Sequence, residues 1–254
     1  MLENYLHQRN YACRIREYIY QGLRVLSMEN ELIKVSIIVD KGTDIYEFIY
    51  KPKDIDFMWH SFNGIRNPDK YVATKEHPGG AFLDYYEGGW QELFPNIGEP
   101  CSYMGAELGT HGEVCMLPWE YKVVTDTPEQ ISVKFWVRTV RTPYLLEKTF
   151  TINRNDPVLY IDEQVTNEGA TDMQFAWGHH PAVGPVFLDD SCIIHINGQC
   201  KIQTTDIPMI LPKNSEFSWP YAQDVNGKVR DLSQVLHPKE KTYMEYAVTN
   251  LSEG

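Results

Sequence analysis

Alternation between apolar and polar residues is the main pattern along this chain. Segments rich in β-branched and aromatic residues, most with a period of two, are separated by Gly, Pro, Asn and Asp, which is typical of strands joined by turns. The predicted strands are 32–39, 45–50, 131–137, 145–152, 158–165 and 243–248. Residues 193–196 predict a further strand, because Asn197-Gly198 follows them and this dipeptide is typical of a two-residue hairpin.

Helical periodicity is scarce by comparison. Residues 231–236 predict one helical turn, and the first twenty residues fit either a short helix or an edge strand. Many short strands with frequent turn signals predict an all-β fold, a sandwich of antiparallel sheets. Because no internal repeat or Gly/Ser linker interrupts the pattern, we expect a single domain over residues 1–254. The long loop-rich stretch 63–118 is expected to carry function.

Charge and cysteine usage narrow the classes of partner. The net charge is −12 and no basic run occurs, so neither nucleic acid nor a membrane surface is an expected partner. The five cysteines are scattered and form no C-x-x-C pair, which predicts neither a zinc ribbon nor a disulfide framework. No apolar run approaches the ~20 residues of a membrane helix. Residues 1–9 also lack the apolar stretch of a signal peptide, so we expect a cytoplasmic protein.

Two histidine segments are the best candidates for chemistry. His179 and His180 are adjacent, precede Pro181 and lie between glycines, and His111 stands before Gly112. Imidazole titrates near neutral pH, so two rings in one pocket can give protons to a substrate and take them back. Because neighbouring side chains on a strand point to opposite faces, only one of His179 and His180 is expected to face a given pocket. The residues alone leave open which one it is.

Side chains around these histidines favour a sugar as the ligand. Trp90 offers a ring for the apolar face of a sugar, and Gln91 and Asn96 offer neutral hydrogen-bonding groups for its hydroxyls. Trp177 precedes the histidine pair and is expected at the wall of the same cleft. Glu113 follows His111 by two residues, so the two share a face if the chain is extended there.

Other readings of the same residues remain open. His111, His179 or His180, and Glu113 could together ligate a metal, although the helical H-E-x-x-H spacing is absent. There is no G-x-S-x-G nucleophile motif and no glycine-rich phosphate loop. The histidines could also be structural residues of a sandwich without a catalytic site.

Several motifs together resemble the aldose 1-epimerase (galactose mutarotase-like) superfamily. The motifs occur in the expected order from about residue 30 onward. They are the strand and turn pattern of residues 35–44, Gly88-Gly89 followed by Phe94-Pro95 and Gly98, His111-Gly112 followed by Trp119, and His180-Pro181.

This resemblance implies a β-supersandwich and the interconversion of sugar anomers without a cofactor or metal. It makes His180 the acid at the ring oxygen and His111 a group that hydrogen-bonds the sugar, with His179 at the substrate rim. Relatives that act on hexose phosphates carry an Arg before the glycine pair. Glu87 stands there in this chain, so a neutral sugar is the expected substrate.

The general base of the superfamily is a Glu near the C-terminus, beyond a further set of strands. This sequence ends at Ser252-Glu253-Gly254, so we expect either a truncated form that lacks the last strands or a base supplied by another residue such as Glu113. Two alternatives to an epimerase follow. One is a non-catalytic carbohydrate-binding protein of the same fold, and the other is a metal-dependent sugar isomerase or lyase.

Overall fold

The computed structural model describes residues 9–72, 82–204, 210–235 and 246–249. The chain divides into two compact units, Met1–Gly184 and Pro185–Gly254, each with its own cluster of buried apolar side chains. The expectation of one domain over residues 1–254 stays a prediction.

Antiparallel strands are the main regular elements of the described structure. In chain order they are β1 (Arg14–Tyr20), β2 (Leu23–Glu29), β3 (Ile33–Ile38), β4 (Asp44–Tyr50), β5 (Ile55–Asp56), β6 (Trp90–Leu93), β7 (Cys101–Tyr103), β8 (Ala106–Leu108), β9 (Glu120–Asp126), β10 (Gln130–Arg138), β11 (Tyr144–Asn153), β12 (Leu159–Asn167), β13 (Gly178–Pro181), β14 (Lys201–Thr204), β15 (Glu216–Ser218), β16 (Tyr221–Gln223), β17 (Val229–Asp231) and β18 (Tyr246–Thr249). Short 3-10 helices cover Lys51–Lys53 and Val114–Met116.

Two sheets pack face to face in the first unit. The larger has the order β1-β2-β3-β4-β6-β13, with β5 also paired to β4, and the smaller has the order β12-β11-β10-β9. Strand β11 alternates strictly between more and less buried residues, because every second side chain points into the space between the sheets. The shared core combines Leu26 and Val35 of the larger sheet with Val133, Phe135 and Phe150 of the smaller one.

The second unit contains smaller sheets. Strands β15, β14 and β18 form one sheet and β16 pairs with β17. Ile202, Leu211, Ala222 and Leu232 are buried together in this unit.

The predicted all-β antiparallel sandwich is confirmed, as are the strands predicted within residues 32–50 and 131–165. Of the first twenty residues, for which a helix or an edge strand was predicted, 14–20 form an edge strand, β1, and 1–8 fall outside the described residues. Strand β18 overlaps the predicted segment 243–248 and ends one residue beyond it, and 243–245 fall outside the described residues.

Two local predictions were wrong. Residues 193–196 form no strand, and only Ile193 makes an isolated bridge, to Gln234. Ile193 is 70% exposed and Ile194 44%, so this apolar run lacks the buried face that stabilises a strand. Of the predicted helical turn at 231–236, Asp231 ends β17, Leu232 and Ser233 form a turn, and Gln234 makes the bridge to Ile193. Leu236 lies outside the described residues.

Candidate active site

The pairing of β6 with β13 sorts the predicted site residues between the two faces of the larger sheet. His180 pairs with Gln91, and His179 pairs with Glu92. Directly paired residues share a face, whereas neighbours in sequence do not. The face with Glu92 and His179 is turned toward the smaller sheet, since Lys148 of β11 contacts Glu92. His180 therefore lies on the outer face, away from the sandwich core.

His111 reaches the same region from the loop that precedes the Val114–Met116 helix. Its backbone N–H donates to the carbonyl of Gly98 at 2.9 Å, and its φ is +63°. Its ring Nδ1 lies 2.8 Å from the carbonyl oxygen of Ile97. A carbonyl only accepts, so this contact requires the proton on Nδ1. In the neutral ring, Nε2 is then the nitrogen with a free lone pair.

Gly112 holds the His111 loop against the end of β6. It has a φ of +80°, and a Cβ added there would lie 2.1 Å from the carbonyl oxygen of Phe94. The N–H of Glu113 donates to that same oxygen at 2.8 Å. Such a close approach of two backbones requires glycine. The His-Gly pair of the sequence is therefore explained by packing as well as by chemistry.

The two imidazoles meet as the sequence predicts. The ring centroids of His111 and His180 are 5.2 Å apart, with 37° between the ring planes. Burial, with His111 as a second cause, lowers the pKa of His180 below its usual value of 6.5. The Nδ1 atom of His180 is buried without a hydrogen-bond partner among the described residues. One ring of the pair is thus held neutral beside the other near pH 7.

Aromatic rings that the sequence analysis missed surround the pair. The ring of Phe82 is 4.6 Å from that of His111 in an edge-on contact, and the ring of Tyr86 is 5.7 Å from that of His180. Burial and the nearby Glu87 raise the pKa of Tyr86 to about 12. These two residues lie in the stretch 63–118 that was expected to carry function, but nothing in their spacing singled them out.

Three residues predicted to bind substrate lie away from the histidine pair. His179 bonds to Glu163 at 3.0 Å, and the ring of Trp90 contacts it edge-on. Trp177 donates from Nε1 to Glu92 at 2.9 Å. These contacts belong to the inner face of the larger sheet. The structure thus does not bring Trp90, Trp177 or His179 to the face that carries His180.

The remaining predicted site residues form hydrogen bonds that hold the backbone around the histidine pair. Gln91 is fully buried on the His180 face and donates to the carbonyl of Gly88. Asn96 donates to the carbonyl of Gly109 at 2.9 Å, which braces the loop before His111. Glu113 accepts from the N–H groups of Val140 and Arg141, both at 2.8 Å, and from the Thr142 hydroxyl at 3.1 Å. The Glu113 carboxylate therefore holds a neighbouring turn and is not a free base.

A buried ionic cluster lies next to Tyr86 in the chain. Lys41 Nζ is 2.6 Å from Asp44 Oδ2 and 2.9 Å from Glu87 Oε2, and all three side chains are almost fully buried. Burial, together with the like charge of Glu87, raises the pKa of Asp44 well above its usual value. One ammonium thus faces two carboxyl groups that compete for ionisation. Glu87, the residue before the glycine pair, is thus engaged by Lys41 and Asp44.

A metal-ligand cluster and a membrane-spanning helix are both absent from the described residues. Over 9–72, 82–204, 210–235 and 246–249, no three His, Cys, Asp or Glu side chains are grouped so that they could hold a metal ion. In the same part of the chain, no helix has the length and apolar character needed to cross a membrane.

A family model described as a domain of unknown function (DUF4432) matches residues 20–224. No curated protein matches the sequence. Among solved structures, a TPR-domain containing protein from Parabacteroides distasonis is similar, with a TM-score of 0.51 and 16% identity over 78% of this chain and 28% of that one.

Two further similar structures carry epimerase names. A putative aldose 1-epimerase from Escherichia coli K12 has a TM-score of 0.37 and 16% identity over 93% of this chain and 66% of that one. A GalM/aldose epimerase homologue from C. elegans has a TM-score of 0.38 and 13% identity over 87% of this chain and 66% of that one. The chain therefore spans less than two thirds of these solved structures. Proteins named as aldose epimerases are thus among the solved structures to which this chain is similar.

Proposed function

The chain belongs to the DUF4432 family, described as a domain of unknown function, and from its candidate active site we propose an acid–base catalyst that interconverts the anomers of a neutral aldose. The observation that carries this proposal is the meeting of His111 and His180, with ring centroids 5.2 Å apart. Two titratable rings on one face of a sheet can serve two oxygens of the same small substrate.

The reaction needs one proton given and one proton taken. Protonated His180 gives its proton to the ring oxygen of the sugar, and Nε2 of His111 accepts the proton of the anomeric hydroxyl. The electron pair of that O–H bond becomes the C=O bond, and the pair of the C1–ring-oxygen bond passes to the ring oxygen. The open aldehyde turns about its C1–C2 bond and closes on the other face by the reverse transfers. Groups positioned in this way contribute roughly 10²- to 10⁴-fold.

The rings beside the pair suit a sugar. Tyr86 is partly exposed beside His180 and offers ring surface for the apolar C–H face of a pyranose, while the buried ring of Phe82 packs against His111. Because the pKa of Tyr86 is about 12, its phenol stays protonated near neutral pH and is able to donate to a hydroxyl. Glu87 presents a buried carboxylate instead of a phosphate-binding cation, which favours a neutral substrate over a phosphorylated one.

The alternative of a non-catalytic carbohydrate-binding protein also has an observation in its favour. Both carboxylate oxygens of Glu113 accept hydrogen bonds from the turn at residues 140–142. The residue that sequence analysis offered as a substitute base is therefore already engaged. If His111 does not accept the anomeric proton, the same cleft binds a sugar without exchanging its anomers.

Anomer-exchange NMR on a panel of free aldoses tests the proposal. We expect faster exchange of at least one sugar, and a loss of about 100-fold or more in His111→Asn and His180→Asn. His195→Asn is the matched control, since His195 is an exposed histidine of the second unit bonded to Asn197. Saturable binding by tryptophan fluorescence without exchange supports the binding alternative. A folded protein that neither binds nor exchanges any sugar contradicts both.

A further inference from the structure

The turn between β3 and β4 contacts both loop segments of the candidate active site, the one with His111 and the one with Phe82 and Tyr86. It covers residues 39–43 and contains Lys41, which is only 1% exposed. We call it the lysine turn. The sequence analysis matched it as part of the strand and turn pattern of residues 35–44, but the proposed function gives it no role.

Backbone contacts hold the lysine turn against the segment that follows His111. The N–H of Gly42 donates to the carbonyl of Leu117 at 2.8 Å. Gly42 has a φ of +67°, and a Cβ added there would lie 2.7 Å from the carbonyl oxygen of Cys115. Only glycine allows two backbones to approach so closely. The turn therefore packs directly on the Val114–Met116 helix, which begins three residues after His111.

The backbone of the lysine turn has a shape that its sequence disfavours. Thr43 is buried with a φ of +54°, a region that β-branched residues rarely adopt because the side chain crowds the backbone. A residue keeps such a conformation only where the surrounding structure determines it, and such residues are frequent at functional sites. The contacts of Gly42 and Lys41 with neighbouring segments supply that support.

The Lys41 ammonium binds the second segment through Glu87. Its Nζ lies 2.9 Å from Glu87 Oε2 and 2.6 Å from Oδ2 of Asp44, the first residue of β4. Glu87 directly follows Tyr86, whose ring is 5.7 Å from that of His180. The three charged side chains are at most 2% exposed, so water cannot replace a lost partner. Movement of Glu87 away from Lys41 is therefore opposed by the cost of an unpaired buried charge.

Strand register places this ionic cluster beside the histidine pair. Ile45 of β4 pairs with Trp90 of β6. Asp44 therefore lies opposite Gln91 in the next row, and Gln91 pairs with His180 of β13. Asp44 and His180 are thus two strand spacings apart on one face of the sheet, which is about 10 Å at ~4.8 Å per strand.

We propose that Lys41 and Glu87 are positioning residues of the histidine site. The lysine turn packs on the helix after His111, and its ammonium holds the segment of Tyr86 on the same support. The placement of Tyr86 beside His180 and His111 is thus set by one buried ionic cluster. The inference rests on the proposed function only for its effect on catalysis, since the placement of the rings is measured without a substrate.

Glu87→Ala removes the anchor without leaving an unpaired charge, because Lys41 keeps Asp44 as its partner. Ser61 still donates to the carbonyl groups of residues 86 and 87, each at 2.8 Å, so we expect the variant to fold. Proton NMR measures the nuclear Overhauser effect between the ring protons of Tyr86 and His180. We expect this signal to be lost in Glu87→Ala. It is retained in Glu87→Gln, whose amide oxygen still accepts from Lys41.

Glu29→Ala is the matched control. Glu29 is also a carboxylate held by a lysine, Lys51, at 2.9 Å, but it lies on β2, four strand positions from β13. The signal between Tyr86 and His180 is unchanged in this variant. Glu87→Asp keeps the charge on a side chain shorter by one methylene group, and is the milder variant should Glu87→Ala not fold. It moves the segment toward Lys41 or breaks the contact, so the signal changes in either case.

Kinetics on a sugar that the wild type exchanges measure the effect on catalysis. We expect kcat/KM to fall about 10- to 100-fold in Glu87→Ala, because small displacements of positioning groups are costly, and Glu87→Gln to retain most of the activity. An unchanged ring signal in folded Glu87→Ala or Glu87→Asp overturns the inference, as does an equal loss of signal in Glu87→Gln. A wild type that exchanges no sugar contradicts the proposed function alone.

Discussion

The protonation of His180 depends on its surroundings more than that of any residue predicted from the sequence. Burial and the neighbouring His111 lower its pKa below 6.5. A buried imidazole resists protonation, because its charged form loses hydration and is further disfavoured electrostatically by His111. The assigned acid is therefore mostly neutral at pH 7, and the fraction that carries a proton increases as the pH falls.

Anomer exchange should follow this titration. If protonated His180 is the acid, kcat/KM rises as the pH is lowered from 7.5 through 6.5, after the uncatalysed rate is subtracted at each pH.

The free energy of unfolding changes in the opposite direction and decreases as the pH is lowered. The unfolded chain takes up the proton first, so the contribution of His180 to folding is present above pH 6.5 and is lost below it. A kcat/KM that falls on acidification, while the protein stays folded, would instead assign His180 to the base.

Gly112 is the residue on which the position of His111 depends. Gly112→Ala places a methyl group 2.1 Å from the Phe94 carbonyl oxygen at a φ of +80°. We expect a loss of several kcal/mol, beyond the ~1 kcal/mol of an unfavourable φ alone. Gly105→Ala is the control, since Gly105 has a φ of +86° with no atom within 4 Å of the added Cβ. Urea unfolding measures both, and equal losses would show that the contact with Phe94 is unimportant.

At the scale of elements, alternation predicted strands well wherever one face is buried. Strands β10, β11 and β12 were predicted almost to their ends because their inner residues form the core. The same rule separated His179 from His180 without saying which faces the pocket, since the answer depends on the register of β13 against β6. It failed at residues 193–196, where apolar side chains remain exposed. Trp90 was predicted to lie in the cleft because of its ring. It precedes Glu92 by two residues on β6, so it lies on the inner face with Glu92.

The inner face contains a buried ion pair that joins the two sheets. Lys148 of β11 contacts Glu92 of β6, and its Nζ is 4.5 Å from the ring centroid of Trp119. Lys148→Met leaves the Glu92 carboxylate buried without its cation, so we expect a loss of about 3–5 kcal/mol in urea unfolding. In the double variant Lys148→Met/Glu92→Gln, no unpaired buried charge remains, so we expect part of that stability to be restored.

Lys134→Met serves as the comparison for this prediction. Lys134 pairs with Glu147 at 2.6 Å, but its side chain is 42% exposed, and an exposed pair contributes at most about 1 kcal/mol. A loss in Lys148→Met no larger than that in Lys134→Met would show that the buried pair does not hold the sheets together.

At the scale of the whole molecule, residues from distant parts of the sequence form the site. His111 comes from a loop, His180 from the strand at the end of the larger sheet, and Phe82 and Tyr86 from the long stretch before β6. Composition and motif order predicted the fold class and the meeting of the two histidines. The aromatic neighbours and the Lys41 cluster could not be predicted, because they depend on how a loop-rich segment crosses the sheet.

The net charge is a property of the whole chain, and we expect it to disfavour anionic substrates. With a net charge of −12 and a buried carboxylate at Glu87, an anionic sugar is repelled on approach and meets no matching Arg before the glycine pair. We expect kcat/KM for galactose 6-phosphate to be lower than for galactose, and the gap to narrow as salt screens the long-range part of the repulsion. The neutral sugar is the internal control, since its rate should not respond to salt. A phosphorylated sugar that exchanges faster than the neutral one at low salt would show that another cation of the chain replaces the missing Arg.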